Sequence, residues 1–283
     1  MKFLAPLLIP AVFSLSSAAH AFNIDGDLKD WLARPSGSSS DWQPGNPAAH
    51  YFIEDQSDQG LRNRGGQVFD AEAIYVARDA ANFYIAVITG VAPNSKSYPA
   101  GDIAFDFGQD GSYEYGVVVE SPNQYTNTNS QSDRNGGIGN QGQVYRVNQW
   151  NVGLWNDHDA YAGVGQGTQA HPTSVKTGTA LGYAELVYQL AKYDSKKIGK
   201  LGAFSGNHYL IEARISNSFF SAADLSRSLT LHWTMGCAND PISVDLPSNV
   251  PTPDALPMLG IGLMMWLAWQ NQNRALTKTP ING

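Results

Sequence analysis

Through the middle of the chain, short apolar runs alternate with polar, glycine-rich breaks. The runs are Ala71 to Arg78, Asn82 to Gly90, Asp102 to Phe107, Tyr113 to Glu120, Gln143 to Gln149, Gly182 to Leu190, Asn207 to Ile215 and Ser228 to Gly236. Each is of strand length and rich in β-branched or aromatic residues, which suit a pleated, half-buried surface, so each predicts a β-strand. Clusters of Gly, Pro, Asn, Asp and Ser separate them, and no long stretch of this region repeats at the helical period. In Asn82 to Gly90, Phe83, Ile85 and Val87 fall on one face while Tyr84, Ala86 and Ile88 fall on the other. A strand that is apolar on both faces belongs inside a sandwich and not at its edge. The expected fold is all-β, an antiparallel β-sandwich. The polar segments Asp55 to Gly66 and Ser121 to Gly142 hold too little apolar surface to bury and predict long surface loops, where ligand contacts on a rigid scaffold tend to collect. Ser216 to Ser226 predicts a turn or short helix capped by Ser221 or Ser218.

The two ends follow a different pattern. Lys2, an uncharged run from Phe3 to Leu15, and small residues closing in Ala19-His20-Ala21 have the order of a secretory signal, with cleavage expected after Ala21. At the other end Pro251, Pro253 and Pro257 lead into an uncharged apolar run, Ala255 to Trp269, followed by Arg274 and Lys278. At about 1.5 Å per residue this run falls short of a hydrocarbon core of about 30 Å and is a marginal span. The expected organisation is therefore a signal peptide at 1–21, one β-sandwich domain at 22–249, a C-terminal hydrophobic helix at 250–274 and a polar tail at 275–283. The central region, 228 residues long, is large enough for one ample core.

That region carries 15 basic and 24 acidic residues, a net charge of −9. Such a surface repels phosphate backbones, so no nucleic-acid partner is expected. The lone cysteine, Cys237, has no internal disulfide partner and is expected to be buried as a small hydrophobe.

Val250 to Arg274, VPTPDALPMLGIGLMMWLAWQNQNR, resembles the PEP-CTERM sorting signal of Gram-negative bacteria, with Pro251 and Pro253 as the Pro-x-Pro motif and Arg274 as the basic end. Thr252 stands where that family usually has glutamate, and the arginine cluster is reduced to Arg274 and Lys278. The resemblance implies an exosortase-type partner, a transient or retained inner-membrane anchor through the C-terminal helix, and a cell-surface or extracellular destination. FNIDGDLKDW (22–31), AEAIYVARDAANFYIAVITG (71–90) and GDIAFDFGQDGSYEYGVVV (101–119) are similar to the DOMON-like superfamily near the family 9 carbohydrate-binding modules. The ending LTLHWTMGCAND (229–240) is similar to that of exosortase-dependent surface proteins with the same sandwich. This resemblance implies an immunoglobulin-like sandwich and a carbohydrate ligand.

Three groups of residues carry candidate chemistry. Asp106, Asp110 and Glu114 surround the Asp110-Gly111 turn, where carboxylates at alternating loop positions can wrap a hard cation; calcium is the expected ion, although the same residues also read as a hairpin turn with no ion. Asp25, Asp27 and Asp30 around Gly26 form a second acidic cluster, read as a solvated turn before the first strand with Trp31 tucked into the core. Trp150, Trp155 and Tyr161 with Asn156, Asp157 and His158 form the densest grouping of flat apolar faces beside polar groups, the composition a sugar platform requires; Trp42 is a further aromatic candidate. No nucleophile elbow, zinc-protease helix or phosphate loop occurs, and the histidines are dispersed, with His232 read as a core or edge residue. The expected function is non-catalytic binding of extracellular polysaccharide or another surface component. A secreted glycan hydrolase with carboxylates at strand ends and a purely structural surface protein are the alternatives.

Overall fold

The computed structural model describes residues 22–33, 38–54, 66–95, 98–121, 137–152, 171–197, 206–236, 238 and 240–248. Among the described residues the strands are β1 His50–Ile53, β2 Ala71–Arg78, β3 Asn82–Thr89, β4 Ile103–Phe107, β5 Tyr115–Val117, β6 Gln143–Asn151, β7 Ser174–Tyr183, β8 Glu185–Leu190, β9 Lys192–Tyr193, β10 Lys196–Lys197, β11 Tyr209–Ser216, β12 Leu229–Trp233 and β13 Ile242–Leu246. They form a five-stranded sheet, β1-β2-β3-β11-β8, a six-stranded sheet, β13-β12-β4-β5-β6-β7, and a small β10-β9 ribbon. Every strand pairing is antiparallel. The expected all-β sandwich is thus present as two facing antiparallel sheets. One four-residue helix, α1 Ala222–Leu225, and short 3-10 turns complete the described elements.

Alternation along the strands builds the core. Ile74 and Val76, Phe83, Ile85 and Val87, Ile211, Ala213 and Ile215 from one sheet meet Ile103, Phe105 and Phe107, Leu231 and Trp233, Ile242 and Val244 from the other. The opposite face of the five-stranded sheet is buried too. Ala73, Tyr75, Tyr84, Ala86, Ile88 and Leu210 lie under Phe22, Leu28, Trp31, Leu32 and Trp42. The double apolar face of β3 therefore has two partners: the second sheet on one side and the N-terminal segment on the other. The strand is also interior within its sheet, between β2 and β11.

Several boundaries differ from expectation. The run ending at Glu120 forms a ladder only over Tyr115–Val117, because Val119 N donates to the Asp102 carboxylate (3.1 Å) in place of a neighbouring strand. The run expected from Gly182 belongs to two sheets, with Ala184 separating β7 from β8. Strands β1, β9, β10, β13 and all but the end of β7 were not anticipated. Trp42, a sequence candidate for sugar stacking, is corrected: it is fully buried in the second core and has no face to offer a ligand. Trp31 is buried as expected, while the turn before it is not simply solvated, because Asp27 is buried. Residues 1–21 and 250–283, Cys237 and most of the two predicted long loops lie outside the described residues. Among the described residues no helix is long and apolar enough to cross a membrane.

Candidate functional site

The acidic turn is assembled at the end of β4. Phe105 and Phe107 point into the core, so Asp106 between them faces outward, and the chain then reverses through Gly108, Gln109 and Gly111, all at positive φ. Asp106 Oδ1 accepts from Asp110 N (3.1 Å) and its Oδ2 from Gly111 N (2.8 Å). Asp110 Oδ1 accepts from Ser112 N (2.9 Å), and Glu114 Oε2 from Phe107 N (2.9 Å). Asp106, Asp110 and Glu114 can each offer an oxygen within 4.8 Å of the others, a span that fits a cation taking oxygen ligands at about 2.4 Å.

Arg227, just beyond α1, supplies positive charge to the same turn. Its Nη2 lies 3.4 Å from Asp110 Oδ2, and its Nη1 lies 3.8 Å from Glu114 Oε1 and 3.9 Å from Asp224 Oδ1. Gly108 takes a φ of +104° that favours glycine, and a Cβ there would sit 1.7 Å from Arg227 Nη2 and push the guanidinium off the turn. Hydrogen bonds from Ser112, with Arg227 adding to them, hold the Asp110 carboxyl below its ordinary range; burial, with the charges of Asp106 and Asp110, raises that of Glu114. The turn is thus an oxygen-rich loop ordered by backbone N–H groups and contested by one guanidinium.

A few residues away the outer face of the six-stranded sheet carries an aromatic surface. The β6–β7 register shifts between Val147 and Gln149 and again between Gln149 and Trp150. Simple alternation would put Trp150 on the face opposite Tyr145 and Val147; the irregular backbone re-aims it onto the same one. There it joins Val118, Tyr145, Val175, Ile138 and Val147. The indole Nε1 donates to Tyr113 O (2.8 Å), and a Cβ on Gly116 would lie 2.6 Å from Trp150 Cη2, so the indole rests directly over that glycine. Trp150 remains partly exposed.

Tyr113 links the indole to the acidic turn and to two histidines. Its ring is 5.5 Å from that of His232, which stacks at 5.6 Å and 14° on His171. Burial, reinforced by His171, lowers His232 to about 3; burial also lowers His171. His232 lies between the core residues Leu231 and Trp233, so it faces the outer side of the sheet and not the core; it is buried there against Tyr113 and His171, with Nδ1 3.1 Å from Ser243 Oγ.

Of the expected sugar platform, Trp150 is placed on this face. Trp155, Asn156, Asp157, His158 and Tyr161 lie outside the described residues. Sequence reasoning missed Tyr113, His171, Gly116 and Arg227. Tyr113 and Gly116 are hidden inside an apolar run, and Arg227 lies more than a hundred residues from Asp110 and Glu114. A scan against protein-family models gives no match for this sequence, and a search of curated proteins gives none.

Proposed function

We propose that this chain is an exported surface module that binds extracellular polysaccharide, without catalysis, on the outer face of its six-stranded sheet. The observation that carries the reading is Trp150, held partly exposed over Gly116 by its bond to Tyr113 and flanked by the acidic turn. A flat indole takes the CH face of a pyranose while neighbouring polar groups take its hydroxyls. The immunoglobulin-like, DOMON-like reading is supported by the role of the opening phrase: Trp31 Nε1 donates to Glu212 Oε1 (2.7 Å) and Gly26 N to Glu212 Oε2 (2.8 Å), docking this phrase onto the sheet. Export rests on the signal-like segment ending at Ala21, and exosortase-type sorting with an inner-membrane anchor rests on Pro251, Pro253, the apolar run and Arg274.

Calcium at Asp106, Asp110 and Glu114 belongs to the same proposal, as an ion that orders the turn beside the binding face. Millimolar calcium is expected to raise the melting temperature relative to chelator, and Asp110→Asn to abolish that rise; equal melting in both buffers removes the ion.

The binding test is affinity electrophoresis or a glycan array with the purified protein. Trp150→Ala is expected to weaken polysaccharide binding at least tenfold with little change in melting temperature, and Gly116→Ala to weaken it by displacing the indole. Undiminished binding in Trp150→Ala overturns the site. Release of reducing ends from the polysaccharide would instead make the protein a hydrolase, and self-association without sugar would make it a structural component.

A further inference from the structure

Four acidic side chains meet where β13 of one sheet lies against β1 and β2 of the other. Glu54 follows β1, and its N–H donates to Glu72 O (2.9 Å). Asp70 and Glu72 stand at the start of β2, and Asp240 stands two residues before β13. Asp240 Oδ2 accepts from Ala71 N (2.6 Å), and its carboxyl lies within electrostatic reach of Glu54 and Asp70. Asp70, Glu72 and Asp240 are buried. Glu72 pairs with His208, whose Nε2 lies 3.0 Å from Glu72 Oε1, and also accepts from Gln67 Nε2. The carboxylate within β13 itself, Asp245, faces elsewhere and accepts from Thr230 Oγ1.

Carboxyl groups crowded into a buried site cannot all ionise together, so one of them keeps a proton. We propose that Glu54, Asp70 and Asp240 form a proton-operated latch between the two sheets: while they share a proton they tie β13 to β1 and β2, and loss of that proton loosens this side of the sandwich. Burial, then the charge of Glu54, pushes Asp240 up to about 9, and burial raises Glu54 as well. Once this edge opens, water reaches the carboxyls and their affinity for the proton falls to the ordinary value near 4. The closed form therefore keeps a proton that the open form releases. Opening becomes easier as pH rises, by up to about tenfold per pH unit between those two values, and levels off above the upper one. The latch is tight in acid and loose in alkali.

The test is hydrogen exchange on the full-length protein between pH 5 and 9, corrected for the intrinsic rate at each pH. Opening of β13 and β1 should rise several-fold per pH unit and run ahead of β3 at every pH, because β3 is exposed only when the whole sandwich unfolds. Asp240→Asn should remove most of that slope, because an amide can accept from Ala71 N and donate to Glu54 with no proton to lose. Glu54→Gln should reduce the slope and serves as the reporter if Asp240→Asn fails to fold. A wild-type β13 that opens only together with β3, or a slope that survives in both variants, overturns the latch.

Discussion

Glu212 shows how much one side chain can organise. On β11, Leu210 and Glu212 share the face opposite Ile211, Ala213 and Ile215, and the N-terminal segment covers that face. The buried carboxylate accepts from Trp31 Nε1 (2.7 Å), Gly26 N (2.8 Å) and Asp25 N (3.0 Å). Asp27, also buried, caps the adjoining 3-10 turn through Lys29 N and accepts from Asp194 N (2.8 Å) and Ser195 N (2.5 Å). A hydrogen bond contributes about 0.5–1.5 kcal/mol, more where the acceptor is charged, and donors stranded by its removal add a penalty of about 1–3 kcal/mol each. Glu212→Ala is therefore expected to destabilise the fold by at least about 3 kcal/mol in urea denaturation. Glu212→Gln should destabilise it less, because its carbonyl oxygen still accepts from Trp31 while its amide group opposes the Gly26 and Asp25 N–H groups. A loss below 1 kcal/mol for the alanine variant would contradict this anchoring role. Trp31 was legible as a core residue because a large apolar side chain after a turn has few other places to go. Glu212 was not, since a lone acid in an alternating strand reads as solvent-facing, and the segment that covers it comes from the other end of the chain.

Among the elements, the segment between β11 and β12 closes one end of the core. Ser221 Oγ caps α1 by accepting from Asp224 N (3.1 Å), as the sequence suggested, and the residue before it, Phe220, projects between the sheets. Its ring lies 5.4 Å from Phe83, 5.3 Å from Phe105, 5.2 Å from Phe107 and 5.0 Å from Tyr115. Removing a ring packed among four others leaves a cavity that rigid strands cannot refill, so Phe220→Ala should destabilise by about 3–5 kcal/mol. Calorimetry would show this as a large fall in melting temperature, and a near-neutral result would mean that the cap collapses onto the strands. The strands that were legible, such as β2, β3 and β11, are those with dense apolar alternation. β7 was not, because it is the free edge of its sheet, mostly exposed, and built from Thr, Gly and Ala with no apolar stripe. The position of Trp150 was equally hidden, since it depends on register shifts that side-chain alternation does not announce. The acidic turn was visible in the spacing of Asp106, Asp110 and Glu114; its guanidinium partner was not, because only the pairing of β12 with β4 brings Arg227 near them.

For the molecule as a whole, the buried titrating groups set an unusual dependence on pH. Burial raises Glu212 to about 7 and Asp102 to about 7, even though Asp102 accepts from Val119 N and Val175 N; Asp240 reaches about 9. An acid held above its ordinary range keeps a proton in the folded state that the unfolded chain releases. Its favourable contribution is complete below about 4 and is lost as pH rises through the folded value. His232, lowered to about 3, works in the other direction: the unfolded imidazole binds a proton below about 6.5 that the folded one refuses, so stability is lost as pH falls below that value. Between about 4 and 6.5 the two effects oppose each other, but three raised acids outweigh one lowered histidine and stability falls as pH rises; above 6.5 only the acids remain, and the decline continues toward pH 9. The melting temperature is therefore expected to be highest at the acid end of this range and to fall on going to pH 8–9. Thermal melts in matched ionic strength from pH 4 to 9 decide the matter, and a melting temperature that rises from pH 6 to 8 would refute it. Asp102→Asn combined with Asp240→Asn should flatten this decline, because the remaining slopes of Glu212 and His232 nearly cancel between about 4 and 6.5.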